Sequence, residues 1–224
     1  MNSLLRHRRL KVATALATVA LGMAGPPRSA AAEQPLIRFR LDVRNLTSDD
    51  RRESLSNDQL KGVVEQVNAI YSRCQIEFVS RFLGNIPASS LKIPFPPKSE
   101  ADLITIASHI HPRGFKSENE ALPLTFAGAF SFYSPTYKLM LFGLTWTFLE
   151  SPGQITRMHS FIGRQHLDGT SAVEIVAHEL GHFFLLPHSD IQGNVMGSGR
   201  AVTETQCQSM RTFAATYYQP LIER

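Results

Sequence analysis

The chain has 224 residues, 43% of them hydrophobic and 19% charged, and only 14 glycines and 13 prolines, which fits one moderate globular domain and excludes disordered and collagen-like chains. Its two cysteines, Cys74 and Cys207, allow at most one bridge, so a disulfide-stapled miniprotein is also excluded. The formal charge is +4, but five of the 23 basic residues lie in positions 1–32, which hold no acid. The remaining 18 basic and 19 acidic side chains give −1, so no nucleic-acid partner is expected.

Residues 1–32 are predicted to be a signal peptide. They combine a basic start, an apolar run at 12–23 that is too short for a stable membrane anchor, and small residues at 29–32. Cleavage after Ala32 would leave a secreted or periplasmic protein with no stable membrane anchor. Its two cysteines would then reach an oxidising compartment, where they are able to pair.

The first part of the mature chain predicts a strand, a helix and a second strand. Leu36–Val43 alternates apolar and charged residues, which is typical of a half-buried strand. Apolar residues then recur at helical spacing over Leu60–Tyr71, behind a polar start at Ser56–Asp58. Gln75–Phe82 predicts the second strand, and a proline-rich stretch at 86–97 ends the pattern.

The middle of the chain carries further strand signals. Ala101–Ile110 is more continuously apolar and predicts a third strand, deeper in a sheet. Phe126–Tyr133 and Tyr137–Leu144 are two more candidates, and the glycine and aromatics of the first indicate an exposed edge. Such an edge strand would hold an extended substrate by adding it to the sheet. Residues 145–168 give few clear signals.

Two helices are predicted in the last third. One begins at Ser171, where Ser171 and Glu174 fit a capping box, and the other spans Thr203–Tyr217 with one apolar stripe. A strand, a helix and then further strands predict an α/β or α+β fold with a mixed sheet. One domain with a short C-terminal part is the simplest division.

The motif His-Glu-Leu-Gly-His at 178–182 carries the chemistry. On a helix, positions four apart differ by about 40° and about 6 Å, so the imidazoles of His178 and His182 can reach one metal ion. Glu179 lies about 100° further round, beside the ion, where a carboxylate can take a proton from water. Two imidazoles and a carboxylate suit zinc, which needs a third protein ligand for catalysis.

His188 is the best third ligand, provided that the chain turns after His182. A continuing helix would place His188 about 240° away, and Pro187 favours the turn because it pushes the preceding residue out of the helical region. Glu204 and Asp190 remain alternative third ligands. The other histidines are interpreted as ordinary loop residues; they are His109, His111, His159 and His166.

These residues resemble the metzincin metalloproteases. The segment HELGHFFLLPH is similar to the family pattern H-E-x-x-H-x-x-G-x-x-H, residues 193–197 are similar to its Met-turn, and Ser189 to its matrixin branch. The resemblance favours the third histidine over its alternatives. It implies that His178, His182 and His188 bind zinc and that Glu179 is the general base. It also implies that Met196 is a packing platform beneath the ligands.

The resemblance also implies a fold and one departure from it. The implied architecture is a mixed, twisted, five-stranded sheet with a backing helix and the active-site helix, followed by a short C-terminal subdomain with the Met-turn and a final helix. The catalytic domain would span 33–224, with an upper subdomain at about 33–185 and a lower one at about 186–224. Leu185 replaces the family glycine, and a left-handed leucine costs on the order of 1 to 2 kcal/mol.

The expected activity is a secreted zinc metalloendopeptidase that binds one catalytic Zn²⁺ and takes a protein or peptide substrate. The first predicted strand begins close to the cleavage point, so we expect no large inhibitory propeptide and control by export or by a separate protein inhibitor. Two alternatives are a catalytically silent secreted zinc-containing binding module, for which Leu185 is the main support, and a zinc amidase acting on cell-wall peptides.

Overall fold

The computed structural model describes most of the chain after the predicted signal peptide, which itself lies outside the described residues. The described ranges are 34–47, 56–91, 99–110, 121–127, 132–134, 139–141, 143–151, 154–163, 170–217 and 222–223. No helix within these ranges has the length and apolar character needed to cross a membrane.

One mixed sheet organises the fold. Its strands follow the order β2-β1-β3-β7-β6, with β8 paired to part of β1. The first four strands of this order run parallel, and β6 pairs antiparallel to β7. The strand bounds are β1 Ile37–Thr47, β2 Ile76–Pro87, β3 Leu122–Ala127, β4 Phe132–Ser134, β5 Leu139–Leu141, β6 Gly143–Ser151, β7 Gln154–Gly163 and β8 Ile222–Glu223.

Within the described ranges, four α-helices accompany the sheet: α1 Asn57–Tyr71, α2 Glu100–Ile110, α3 Thr170–His182 and α4 Glu204–Tyr217. The prediction of an α/β fold with a mixed sheet is confirmed, and the short β8 joins the five strands expected. A separate antiparallel pair is formed by β4 and β5.

The predictions for the first strand, helix and second strand are confirmed. Ile37, Phe39, Leu41 and Val43 of β1 are buried, because alternate side chains of a strand point to the same face. Ser56 caps α1: its hydroxyl accepts from the Gln59 N–H, and the Gln59 side chain accepts from the Ser56 N–H in return.

The prediction of a strand at Ala101–Ile110 is wrong, because these residues form helix α2. Ser99 begins the helix by accepting a hydrogen bond from an N–H of its first turn. Ile106 and Ile110, one helical turn apart, are both buried. A short apolar run has no clear period of its own, so contacts elsewhere in the fold decide between strand and helix.

The prediction of one exposed edge strand at Phe126–Tyr133 is wrong at its start; residues 128–131 lie outside the described residues, and Phe132 and Tyr133 belong to β4 of the separate antiparallel pair. Phe126 and Ala127 end β3, which lies between β1 and β7 and is buried at every position. A parallel strand covered on both faces is apolar throughout, so its aromatic content reflects burial and not an edge. Tyr137–Leu144 overlaps β5 and the start of β6, and it is β6 that lies at the edge of the large sheet.

Strands β6 and β7 occupy most of the region 145–168, in which sequence signals were few. They form an antiparallel pair, with Thr145 opposite Ser160. Their pairing contains two register shifts, which interrupt the alternation that reveals a strand in a sequence.

The final helix is confirmed as α4, and the capping box at Ser171 and Glu174 is wrong. Ser171 lies inside α3, and the Glu174 carboxylate accepts a hydrogen bond from Arg200 instead. A Cys74–Cys207 disulfide joins α4 to the turn after α1. Because it closes a sequence separation of 133 residues, it disfavours the unfolded chain by about 5 kcal/mol in the chain-entropy description.

Candidate metal centre

Helix α3 places two histidines of the motif side by side. Their Nε2 atoms are 3.1 Å apart, and their ring centroids are 4.8 Å apart. The opposite side of α3 carries apolar residues into the core, among them Val173, Val176 and Leu180. Burial of this apolar face fixes the rotation of the helix and so fixes the direction in which His178 and His182 point.

Backbone carbonyls determine the tautomer of both rings. His178 Nδ1 is 3.0 Å from the Val195 oxygen, and His182 Nδ1 is 2.9 Å from the Leu186 oxygen. A carbonyl oxygen only accepts hydrogen bonds, so each Nδ1 carries the ring proton. Each Nε2 of the neutral rings therefore presents a lone pair, as metal-binding histidines require.

Both rings are neutral at neutral pH. Burial, followed by the neighbouring His178 and His188, lowers the pKa of His182 to about 4. Burial is also the largest cause lowering the pKa of His178. The two Nε2 lone pairs therefore face each other across 3.1 Å without a proton between them. A cation between the two nitrogens removes this repulsion, and two nitrogens bound to one tetrahedral zinc ion are about 3.3 Å apart.

The chain turns after α3 through a left-handed residue. Leu185 has φ +56°, and the N–H groups of Leu185 and Leu186 donate to the carbonyls of His182 and Gly181. These two bonds form a Schellman motif, in which the left-handed position usually holds glycine. Leu185 therefore adopts the turn that glycine would make, and this same turn brings the Leu186 carbonyl to the His182 ring.

The turn brings His188 back to the other two histidines. Its ring centroid lies 5.1 Å from that of His178 and 5.0 Å from that of His182, and the possible ligand atoms of the three residues all lie within 4.8 Å of one another. Within the described part of the chain, the group able to hold a metal ion consists of these three and includes neither Glu204 nor Asp190. Three imidazoles are compatible with a zinc ion that keeps its fourth position for water.

Two of the four histidines that were predicted to be loop residues lie within the described residues, and both lie in regular secondary structure and not in loops. His109 lies in helix α2, not in a loop, with its Nδ1 2.9 Å from the Thr105 oxygen. His159 lies in strand β7. His111 and His166 are outside the described residues.

The loop after the third histidine is held by a pair of amides. Asn194 and Gln206 exchange two side-chain hydrogen bonds of 2.9 and 3.0 Å, and Asn194 Oδ1 also accepts from the Met196 N–H. Asn194 is buried. This network fixes the turn that carries the Val195 carbonyl, the hydrogen-bond partner of the His178 ring.

Met196 packs directly on helix α3 at Gly181. It is fully buried, and a Cβ added to Gly181 would collide with its Sδ atom and lie 3.2 Å from the Tyr71 hydroxyl. The missing side chain of Gly181 is therefore what permits this contact. The Tyr71 hydroxyl donates to the Ala177 carbonyl at 2.7 Å and joins α1 to the same part of α3.

Glu179 lies against strand β6. Only 6% of the residue is exposed, and Thr145 donates to its Oε2 at 2.7 Å. A Cβ added to Gly143 would lie 2.5 Å from Oε1, so the strand passes very close to the carboxyl group. Burial raises the pKa of Glu179 to about 7, and the hydrogen bond from Thr145 opposes part of that rise.

Residues outside the motif were missed by sequence reasoning. Thr145 lies in the region 145–168, which carries few strand or helix signals, and Gln206 lies on a helix that the sequence marks only by its apolar stripe. Asn194 lies within the segment that resembles a Met-turn, where the sequence alone does not indicate the contacts of its side chain. Thr145 contacts Glu179 across 34 residues of sequence, and Asn194 contacts Gln206 across 12, so neither pairing follows from local spacing.

Comparisons with known proteins identify similar folds and no family. No protein-family model and no curated protein matches the sequence. Metalloproteinase-II from Bacteroides fragilis aligns with a TM-score of 0.50 at 11% identity, over 81% of this chain and 55% of its own. Archaemetzincin from Methanopyrus kandleri aligns with a TM-score of 0.48 at 16% identity, over 79% of this chain and 96% of its own. A zinc-dependent peptidase from Methanocorpusculum labreanum aligns with a TM-score of 0.42 at 16% identity, over 76% of this chain and 98% of its own.

These likenesses concern the fold. This chain spans about half the length of the Bacteroides metalloproteinase, with which it shares its α/β architecture. At 11% identity, this likeness indicates a shared fold and does not indicate the chemistry of the site.

The left-handed leucine yields a stability prediction. Leu185→Gly is expected to raise the free energy of unfolding by about 0.5–1 kcal/mol, because relief of left-handed strain exceeds the entropy that glycine adds to the unfolded chain. The leucine side chain is 45% exposed, so little burial is lost. Chemical denaturation measures the change, and zinc affinity should remain unaltered.

Two variants control this measurement. Gln75 also has a positive φ of 54°, so Gln75→Gly should stabilise in the same direction. Leu185→Ala keeps the Cβ and with it the strain, so it should give no gain. A stabilisation by alanine equal to that by glycine would contradict the explanation by backbone strain.

Proposed function

We propose that this chain is a secreted zinc-dependent metalloendopeptidase that hydrolyses internal peptide bonds. The observation that carries the proposal is the facing pair of unprotonated Nε2 atoms of His178 and His182, with His188 completing the group. A buried carboxyl group, that of Glu179, follows the first of these histidines on the same helix. A cation site next to a proton acceptor is the arrangement needed for metal-assisted hydrolysis.

The three histidines would hold the ion, which when bound polarises the scissile carbonyl and lowers the pKa of water to about 7. The carbonyls of Val195 and Leu186 keep the His178 and His182 rings in the metal-binding tautomer. Their role in the proposal is orientation, because each carbonyl contacts the Nδ1 atom of its ring.

Glu179 would act as the general base and then as the general acid. It would take a proton from the attacking water as the water oxygen bonds to the carbonyl carbon, and deliver that proton to the leaving nitrogen as the C–N bond breaks. A pKa of about 7 supports this role, because a group titrating near the working pH both accepts and donates protons efficiently.

Within this class, we propose a metzincin of the matrixin-like type. The support is the third histidine reached through a left-handed turn, together with a buried methionine packed on α3 at Gly181, one residue before His182. Met196 would serve there as an apolar platform for His178 and His182. Leu185 adopts the left-handed conformation that the family glycine would supply. The alternative of a silent binding module was based mainly on the absence of that glycine, so this conformation favours the peptidase over the binding module.

The proposed organisation is a signal peptide at 1–32 and a single catalytic domain at 33–224, acting outside the cytoplasm. The Cys74–Cys207 disulfide supports export, since such bridges persist in oxidising compartments. The proposed substrate is a protein or peptide, in keeping with a fold similar to that of a metalloproteinase. Control by a separate protein inhibitor is part of the same proposal.

The test uses the purified mature protein, loaded with one equivalent of zinc, on two substrates. One is a reduced and alkylated protein, and the other is a cross-linked cell-wall peptide. We expect the unfolded protein to be cut at internal bonds, as read from fragment masses. A chelator should abolish cleavage, and added zinc should restore it.

Each other outcome would overturn the proposal in its own way. Cleavage of the cell-wall peptide alone would indicate an amidase, and release of terminal residues alone would indicate an exopeptidase. Stoichiometric zinc without cleavage of either substrate would indicate a binding module. Cleavage that persists in the chelator would indicate a contaminating protease.

A further inference from the structure

The hydroxyl of Thr145 lies at the centre of a small polar cluster on the inner side of strand β6. Its Oγ1 is 2.7 Å from Glu179 Oε2, 3.0 Å from the Glu179 carbonyl oxygen and 3.0 Å from the Ser160 hydroxyl. Ser160 is the register partner of Thr145 on β7 and is fully buried. The two strands therefore present a pair of hydroxyls to the carboxyl group.

The hydroxyl pair allows Thr145 to direct its proton at the carboxyl group. Each hydroxyl donates one hydrogen bond and accepts up to two. Thr145 therefore donates to one of its three neighbours at a time, and the shortest of the three contacts, at 2.7 Å, is the one to Glu179 Oε2. A hydrogen bond donated by Ser160 to Thr145 Oγ1 leaves the Thr145 proton free for this contact.

The opposite side of the carboxyl group is bounded by the same strand. A Cβ at Gly143 would be 2.5 Å from Oε1, 2.7 Å from Cγ and 2.8 Å from Cδ of Glu179. Strand β6 therefore contacts the side chain at two positions, two residues apart on one face. The hydrogen bond from Thr145 engages Oε2, and Gly143 lies close to Oε1, so strand β6 restrains both carboxyl oxygens.

We propose that Thr145, supported by Ser160, is a positioning residue that holds the Glu179 carboxyl group in place through Oε2. The inference rests on the proposed peptide hydrolysis. In that reaction the Glu179 carboxylate takes one water proton while the remaining hydroxide oxygen bonds to the acyl carbon. The proton then passes to the amide nitrogen as the C–N bond breaks.

The test compares Thr145→Val, which keeps the shape of the side chain and removes the hydroxyl, with Thr145→Ser, which keeps the hydroxyl. For the valine variant we expect kcat to fall about 10–100-fold, as for loss of other orienting partners, with KM and zinc content unchanged. The serine variant should retain kcat within about threefold. Ser160→Ala should reduce kcat by less than Thr145→Val, because the direct bond to Glu179 remains.

A second measurement does not depend on activity. Crystal structures of the zinc-loaded wild type and of Thr145→Val should show the Glu179 carboxyl group held by Thr145 in the first and rotated or disordered in the second. An unchanged carboxyl position, or an unchanged kcat in an active enzyme, would overturn the inference. A fall in kcat that merely parallels lost zinc or a lower melting temperature would also overturn it.

The two proposals fail in different ways. If the zinc-loaded wild type cleaves nothing, the proposed function is wrong, while the crystal structures still decide whether Thr145 positions Glu179. If the wild type cleaves and Thr145→Val cleaves equally well, the function stands and only the role of Thr145 is wrong.

Discussion

Replacing Glu179 by glutamine is expected to reduce kcat for peptide hydrolysis by about 1,000-fold, within the range that a positioned general acid–base group contributes. The amide has nearly the same shape as the carboxylate but cannot take a proton from water. The three histidines do not depend on the carboxylate for their geometry, so the zinc content should remain at one equivalent. Steady-state kinetics and metal analysis of the same preparation measure both quantities.

Glu174→Gln is the matched control. It makes the same chemical change on the same helix, at a half-buried carboxylate that pairs with Arg200 and not with the metal centre. We expect it to leave kcat within about twofold, because a partly exposed ion pair contributes little. If Glu179→Gln retained the activity of Glu174→Gln, another group would have to be the base.

The same glutamine variant should also change how stability depends on pH in the metal-free protein. Burial raises the pKa of Glu179 from 4.5 to about 7, so folding favours the protonated carboxyl group. The wild type therefore loses stability as the pH rises from about 4.5 through about 7, because folding then requires a buried charge. Glutamine does not ionise, so its stabilising effect relative to wild type should be larger at pH 8 than at pH 5.

Replacing His188 by alanine is expected to weaken zinc binding by more than about 100-fold. Loss of a residue that only orients a ligand reduces metal affinity by about 10–100-fold, and loss of a direct ligand should reduce it further. His178 and His182 would remain as two ligands, fewer than the three that catalytic zinc sites keep. Peptide hydrolysis should be lost with the metal. Competition with a chromophoric chelator measures the affinity.

Three variants control this result. Glu204→Ala and Asp190→Ala remove the alternative third ligands, both exposed in the structure, and should leave zinc affinity unchanged. His109→Ala removes a histidine from helix α2 and controls for nonspecific binding by imidazole. A site emptied by Glu204→Ala but retained in His188→Ala would show that the ligand assignment is wrong.

Local sequence features predicted the elements nearest to the metal centre. The spacing of His178 and His182 follows from the pitch of a helix, and Pro187 indicated a turn before His188. These predictions rest on interactions within a few residues, which a sequence shows directly. The first strand and α1 were predictable for the same reason, since each has a clear period and α1 has its own cap.

Tertiary structure decided what the local pattern left ambiguous. Ala101–Ile110 is apolar enough for either a strand or a helix, and it became α2. Phe126 resembled an edge residue but lies in a strand covered on both sides. In both cases the packing partner, which is distant in sequence, determined the outcome.

Local sequence was enough to predict the three histidines, the adjacent Glu179 and the helix that carries the motif. The folded chain was needed to show that Leu185 takes a left-handed conformation, that carbonyls fix the tautomers of the His178 and His182 rings, and that Thr145 holds Glu179. The difference arises from the range of the interactions. Helical spacing is set within one turn, whereas the orientation and pKa of a buried group depend on atoms that folding brings from distant parts of the chain.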